Sequence, residues 1–270
     1  MIVDVNAYLG PFAFRRLRDH TAPALLRRMD AGKIDRAVVS SAAAITYRNA
    51  QEGNEELAET IGPHGDRLTP FAVINPAYAG WEDDLKACHE RLGMVGLRLY
   101  PRWHNYKLSD ASCLDLIDAA TARGMIVSIP FRVEDPRQRS WLVDVPDLGF
   151  PEVAALIAAR PDARFILLNG LGYARSPLGR KDGGLPANYM VEFSRIDPLL
   201  SDEFAGLLDA IGPGRIAFGT GMPFHDPAPA LLKLDVLDLP ADRKALIAGG
   251  NAARWLASAG RARPDPKRTQ

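Results

Sequence analysis

Arg98 and Tyr100 alternate at the end of one short apolar run, and Glu192 and Ser194 at the end of another, so an extended chain turns each pair to one face. By the same rule Asp4, Asn6 and Tyr8 share a face near the start of the chain. Ser40, Asn75, Ser128, Arg132, Asn169 and Thr220 end or follow further runs. A carboxyl such as Glu192, held in a partly dry pocket, gains a raised pKa and can act as general acid or base. Asn6, Tyr8 and Asn169 can donate hydrogen bonds to a carbonyl oxygen as it gains charge. Guanidinium groups at Arg98, Arg102 and Arg132 can grip a carboxylate through paired hydrogen bonds, which points to an acidic organic ligand. Trp103 and Tyr106 could form an apolar wall, with Tyr100 and His104 as further substrate-binding candidates. A structural alternative stands beside each assignment. Glu192 could pair with an arginine, the arginines could form a salt-bridge network with Asp4 or Glu134, and the aromatic residues could simply pack.

The elements that must position these residues are eight apolar runs rich in β-branched side chains. They are Ile2–Val5, Arg36–Ser40, Leu68–Asn75, Val95–Tyr100, Met125–Ile129, Arg164–Leu168, Tyr189–Phe193 and Ile216–Gly219. Their starts lie 25 to 39 residues apart, close to the roughly 30 residues of a strand plus a crossover helix. Helical periodicity fills several intervals, at Trp81–Gly93, Asp110–Gly124, Phe150–Arg160, Glu203–Ile211 and Ala241–Ala259. Asp110–Gly124 ends in a cationic turn and a glycine, the pattern of a helix C-terminus. Eight such units predict an α/β protein, a single-domain (β/α)8 TIM barrel over residues 1–260. A doubly wound sheet would need a Gly-rich turn after its first strand, which Asn6-Ala7-Tyr8-Leu9-Gly10-Pro11 lacks. The Gly/Pro-rich stretch 170–186 has no helical period and reads as a lid or a disordered loop. The charged tail 261–270 is expected to be flexible.

Composition narrows the partners. Lys+Arg and Asp+Glu each number 33 in 270 residues, so no basic excess favours nucleic acid or an anionic membrane. Cys88 and Cys113 are the only cysteines and have no partner at metal-ligand spacing, which argues against a disulfide scaffold and a cysteine zinc site. The first residues lack a basic region followed by an apolar run, so a cytoplasmic location is expected. No Gly-x-Ser-x-Gly elbow, Walker loop or His-Glu-x-x-His occurs, and Gly219-Thr220-Gly221 is only a short turn at a place where barrels can bind phosphate. The expected partner is a small, anionic molecule, with homo-oligomer formation left open.

Several segments in sequence order resemble the amidohydrolase-2 branch of the metal-dependent hydrolase superfamily. They are Ile2–Gly10, Ile74-Asn75-Pro76, Gly93–Pro101, Arg164–Gly170, Arg215–Phe224 and Gly249–Arg254. The resemblance covers nearly the whole chain and implies a TIM barrel with hydrolase ancestry. It also implies a metal site: two histidines after strand one, one each on strands five and six, and an aspartate after strand eight. Those positions hold Asn6, Tyr8, Pro130 or its neighbour, Asn169 and Gly221 here. Proline and glycine offer no donor side chain, and amide or phenol oxygens are poor zinc ligands. The expectation is therefore a metal-independent protein with no cofactor. It is either a hydrolase or lyase using Glu192, Tyr8, Asn6 and Asn169, or a non-catalytic descendant that binds a ligand or partner. An unorthodox metal set of Asp4, Glu192 and His225 is a third reading.

Overall fold

The computed structural model describes residues 1–196 and 202–260, so the expected tail at 261–270 lies outside the described residues. Eight parallel strands pair in sequence order: β1 (Val3–Leu9), β2 (Arg36–Ser41), β3 (Leu68–Ala72), β4 (Gly96–Arg98), β5 (Ile126–Pro130), β6 (Arg164–Leu168), β7 (Tyr189–Glu192) and β8 (Ile216–Ala217). The sheet curls until its edges meet. The Val5 amide donates to Phe218 O at 3.0 Å, and the Tyr8 amide to Met222 O at 2.8 Å. The chain is a nearly closed (β/α)8 barrel.

Helices cover the outside: α1 (Ala22–Ala31), α2 (Ala50–Ile61), α3 (Trp81–Lys86), α4 (Ala111–Ala122), α5 (Phe150–Ala159), α6 (Glu203–Ile211), α7 (Ala228–Val236), α8 (Ala241–Ala245) and α9 (Asn251–Ala257). The helix expected over 81–93 is α3 plus a π-helical turn at Ala87–Arg91, and a second such turn at Leu246–Gly250 links α8 to α9. No helix among the described residues is long and apolar enough to cross a membrane.

Strand alternation divides the core. Val39, Leu97, Val127, Phe165, Leu167 and Val191 pack outward against the helices. Val5, Val38, Phe71, Ile126, Ile166 and Met190 pack together inside, and Ala252 and Leu256 of α9 join that inner cluster. Gly96 keeps the interior open at one point, because a Cβ there would lie 2.5 Å from the Phe71 ring.

One strand departs from simple alternation. The β1–β2 register shifts between Asp4 and Ala7. Such an irregularity changes which face successive side chains occupy. Val3 and Val5 belong to the inner cluster, yet Asn6 also reaches inward, to residues of β7 and of the turn after β6. The expected common face of Asp4, Asn6 and Tyr8 is thus broken, and Asp4 turns to Thr220 beyond β8.

The 170–186 stretch is packed down on the barrel. Tyr173 and Leu178 are fully buried, and Tyr173 stands edge-on to Phe131 and Phe150. Gly170 and Gly179 make room for this, since a Cβ on either would fall within 2.4 Å of Tyr173.

Candidate functional site

At the C-terminal ends of the strands, where barrel enzymes keep their chemistry, a closed polar cluster is built from both ends of the chain. Asp4 accepts hydrogen bonds from the Asn6 amide at 2.8 Å, the Thr220 amide at 3.0 Å and the Thr220 hydroxyl. Complete burial outweighs these bonds and pushes its carboxyl up to about 6, with the nearby Glu192 charge adding to the rise. Glu192, also fully buried, accepts from the Ser194 and Asn169 amides and, at 3.5 Å, from Asn6 Nδ2. Burial raises its pKa as well, against the bonds from Ser194 and Asn169.

Asn169 links the set. Its Oδ1 accepts from Asn6 Nδ2 at 2.9 Å, while its own Nδ2 donates to Arg132 O at 3.0 Å. It does so from a left-handed backbone, φ +58°, which asparagine tolerates better than most residues. Gly219 leaves the space that Glu192 fills, because a Cβ there would lie 2.5 Å from Glu192 Cγ and 2.9 Å from Asn6 Cβ.

Asn6, Asn169 and Glu192 therefore meet, but solvent does not reach them. Asn6, Tyr8, Asn169 and Glu192 each have 0% exposure. Above them sits a plug of aromatic side chains. Phe224 packs edge-on against both Tyr8 and Phe12, at 5.0 Å between ring centres, and Trp103 lies 5.6 Å from Phe12. Tyr8 and Tyr100 are buried, which raises the pKa of both phenols, and Tyr100 Oη lies 3.4 Å from Ser40 Oγ. His104 is wedged below the surface with Nε2 3.3 Å from Ala44 O, and burial lowers its pKa to about 4.

The three arginines do not converge. Arg98 lies inside the barrel, where its guanidinium donates to Ala7 O at 2.9 Å, Val5 O at 3.1 Å and Ser128 Oγ at 3.1 Å, with its carbon 4.7 Å from the Tyr8 ring centre. Arg102 pairs with Glu152 at 2.7 Å at the start of α5, and Arg132 with Asp147 at 2.6 Å. A long side chain in a barrel takes the nearest carbonyl or carboxylate, and strand alternation alone does not reveal that partner.

The positions that the resemblance assigns to metal ligands, Asn6, Tyr8, Pro130 or its neighbour, Asn169 and Gly221, carry no imidazole or carboxylate. Asn6 Oδ1 is buried without a hydrogen-bond partner, a single weak amide donor where an imidazole would be needed. Among the described residues no three His, Cys, Asp or Glu side chains are grouped to hold a metal ion, which removes the set of Asp4, Glu192 and His225.

Sequence reasoning missed the open cleft beside the plug. It has a volume of about 280 Å3 and lies between the loop after β1 and the segment after β8. Leu17, Leu25, Met222 and Phe224 line it together with Arg15, Arg16, Arg18 and Arg28. Three arginines within four residues, at 15, 16 and 18, are a signal visible in the sequence.

The (β/α)8 barrel with polar residues at its strand ends defines the fold class, and comparison with known proteins gives it a family. The amidohydrolase family profile matches residues 12–257, and the chain belongs to that family. Among solved structures it is similar to 5-carboxyvanillate decarboxylase from Sphingomonas paucimobilis, with 16% identity and a TM-score of 0.68 over 95% of this chain and 99% of that one. It is also similar to 2,6-dihydroxybenzoate decarboxylase from Rhizobium, with 18% identity, a TM-score of 0.69 and coverage of 95% and 98%. A third is dihydroxybenzoic acid decarboxylase from Polaromonas sp. JS666 with bound manganese, with 18% identity, a TM-score of 0.70 and coverage of 95% and 96%. Identities this low establish the shared fold. No curated protein matches the chain.

Proposed function

We propose that this amidohydrolase-family protein binds a small organic carboxylate and does so without metal-assisted hydrolysis or decarboxylation. One observation carries the reading: the strand ends are filled by the chain's own Asn6–Asn169–Glu192 cluster at 0% exposure, with an aromatic plug above it. Activating a water at neutral pH is the main task of a hydrolytic metal. Here that volume holds the side chains of Asn6 and Asn169, joined by a hydrogen bond of 2.9 Å. A general acid must touch its substrate to deliver a proton, and Glu192 is held by two backbone amides in a dry interior. Anionic ligand chemistry is supported by the arginine-rich cleft and by the carboxylates named for the structural neighbours.

Calorimetric titration with 2,6-dihydroxybenzoate, followed by product analysis with and without added Mn2+, tests this reading. Saturable binding with no carbon dioxide release above the buffer rate is the expected result. Manganese-dependent turnover would overturn it.

A further inference from the structure

The arginines around the cleft differ in how far their charges are already spent. Arg15 is committed: Nε lies 3.0 Å from Glu134 Oε1, and its other two nitrogens donate to Gln138 Oε1 and Phe224 O. Arg28 is committed to Asp19 and Asp226, at 2.9 and 2.8 Å. These two are scaffold, and they fix the β1 loop against the segment after β8. Arg16 and Arg18 are exposed and have no ion pair or hydrogen bond among the described residues. Two free guanidinium groups thus flank an apolar floor of Leu17, Leu25, Met222 and Phe224. A volume of about 280 Å3 suits a single ring or a short chain, at the small end of ligand pockets, roughly 300–1,000 Å3.

The cleft also explains a replacement in the barrel. Gly221 stands where the family resemblance puts a metal-binding aspartate, and its φ is +77°. A Cβ on Gly221 would lie 2.5 Å from Cδ2 of His225, which lines the cleft. A side chain at 221 and the His225 ring in its present place exclude one another. The position that would face a metal has become the space into which the cleft wall packs.

We infer that the β1–β8 loop cleft is the ligand site, taking a compact organic acid whose carboxylate is held by Arg16 and Arg18 and whose apolar body lies on Met222 and Phe224. This inference rests on the proposed function above and adds a location to it. Because both arginines sit at an exposed rim, the attraction is screened by salt, and affinity falls as ionic strength rises.

The test is calorimetric titration of the full chain with benzoate, 2,6-dihydroxybenzoate and neutral benzamide. The wild type is compared with an Arg16→Ala/Arg18→Ala double variant and with Arg91→Ala, which removes a cation from an exposed pair with Glu55 elsewhere. Both substituted rim residues are exposed, so the variant keeps its fold. Hydrogen bonds to charged groups predict that the double variant weakens acid binding about tenfold or more. Benzamide should bind more weakly than benzoate by a similar factor, and Arg91→Ala should match the wild type. Acids that bind the wild type and the double variant equally would overturn the cleft assignment and leave the functional reading standing. Failure of every acid to bind would overturn the functional reading, and the cleft with it.

Discussion

Replacing Asp4 by asparagine should flatten part of the pH dependence of stability, and the sign is opposite to that of an ordinary paired carboxylate. The carboxyl of Asp4 rises from 3.8 to about 6 on folding, chiefly through burial. Between those values the folded protein holds a proton that the unfolded chain has released. Stability from this residue is therefore full below pH 3.8 and falls as pH rises through about 6. One pKa unit corresponds to about 1.36 kcal/mol, so the whole loss is about 3 kcal/mol, of which about 2.5 kcal/mol falls between pH 4 and 7.5. Asparagine does not titrate and escapes that loss. It can still accept from the Asn6 and Thr220 amides, and its mismatch with the Thr220 hydroxyl adds an offset of about 1 kcal/mol that does not vary with pH. His104 and His225, both lowered to about 4, tilt stability the other way, with a gain between about pH 4 and 6.5. They are present in both proteins and cancel in the difference. Urea unfolding followed by tryptophan fluorescence from pH 4 to 8 measures the effect. The variant should gain about 2.5 kcal/mol on the wild type across that range. A pH-independent difference, or one that favours the wild type as pH rises, would refute the reasoning.

Two further substitutions read the same interior. Arg98→Leu leaves the Val5 and Ala7 carbonyls without the guanidinium inside the barrel, while Ser128 Oγ still donates to Leu97 O, and should cost about 2–5 kcal/mol in urea unfolding. Gly219→Ala forces a methyl group against Glu192 and Asn6, and should lower stability by about 1–3 kcal/mol, visible as a reduced thermal midpoint.

The fold was legible because barrel strands buried on both faces are apolar runs at a steady interval, and helix ends carry local chemistry. Glu203–Ile211 forms the expected helix residue for residue, and all eight strands lie where the apolar runs do. Strand limits were less clear, since β1 stays extended through polar Asn6 and Tyr8 once its register slips. The meeting of Asn6, Asn169 and Glu192 could be read from strand ends alone, because closing a barrel brings strand one beside its last strands. What could not be read was occupancy. Phe12 and Phe224 come from opposite ends of the chain to plug the mouth, and no local pattern announces such a contact. The arginines failed for a related reason. Arg98 finds carbonyls 91 and 93 residues away, and the partners of Arg102 and Arg132 are set by how the first turn of α5 and the loop before it fold back.

The central claim is that a buried, hydrogen-bonded cluster of Asn6, Asn169 and Glu192 stands in place of the family's metal centre. Anomalous X-ray diffraction from crystals grown with excess Mn2+ and 2,6-dihydroxybenzoate tests it most directly. The account predicts no manganese peak among Asp4, Asn6, Asn169 and Glu192, with the acid's density in the cleft beside Arg16 and Arg18. A manganese peak coordinated by Asp4 or Glu192, with the plug of Phe12 and Phe224 swung aside, would contradict it.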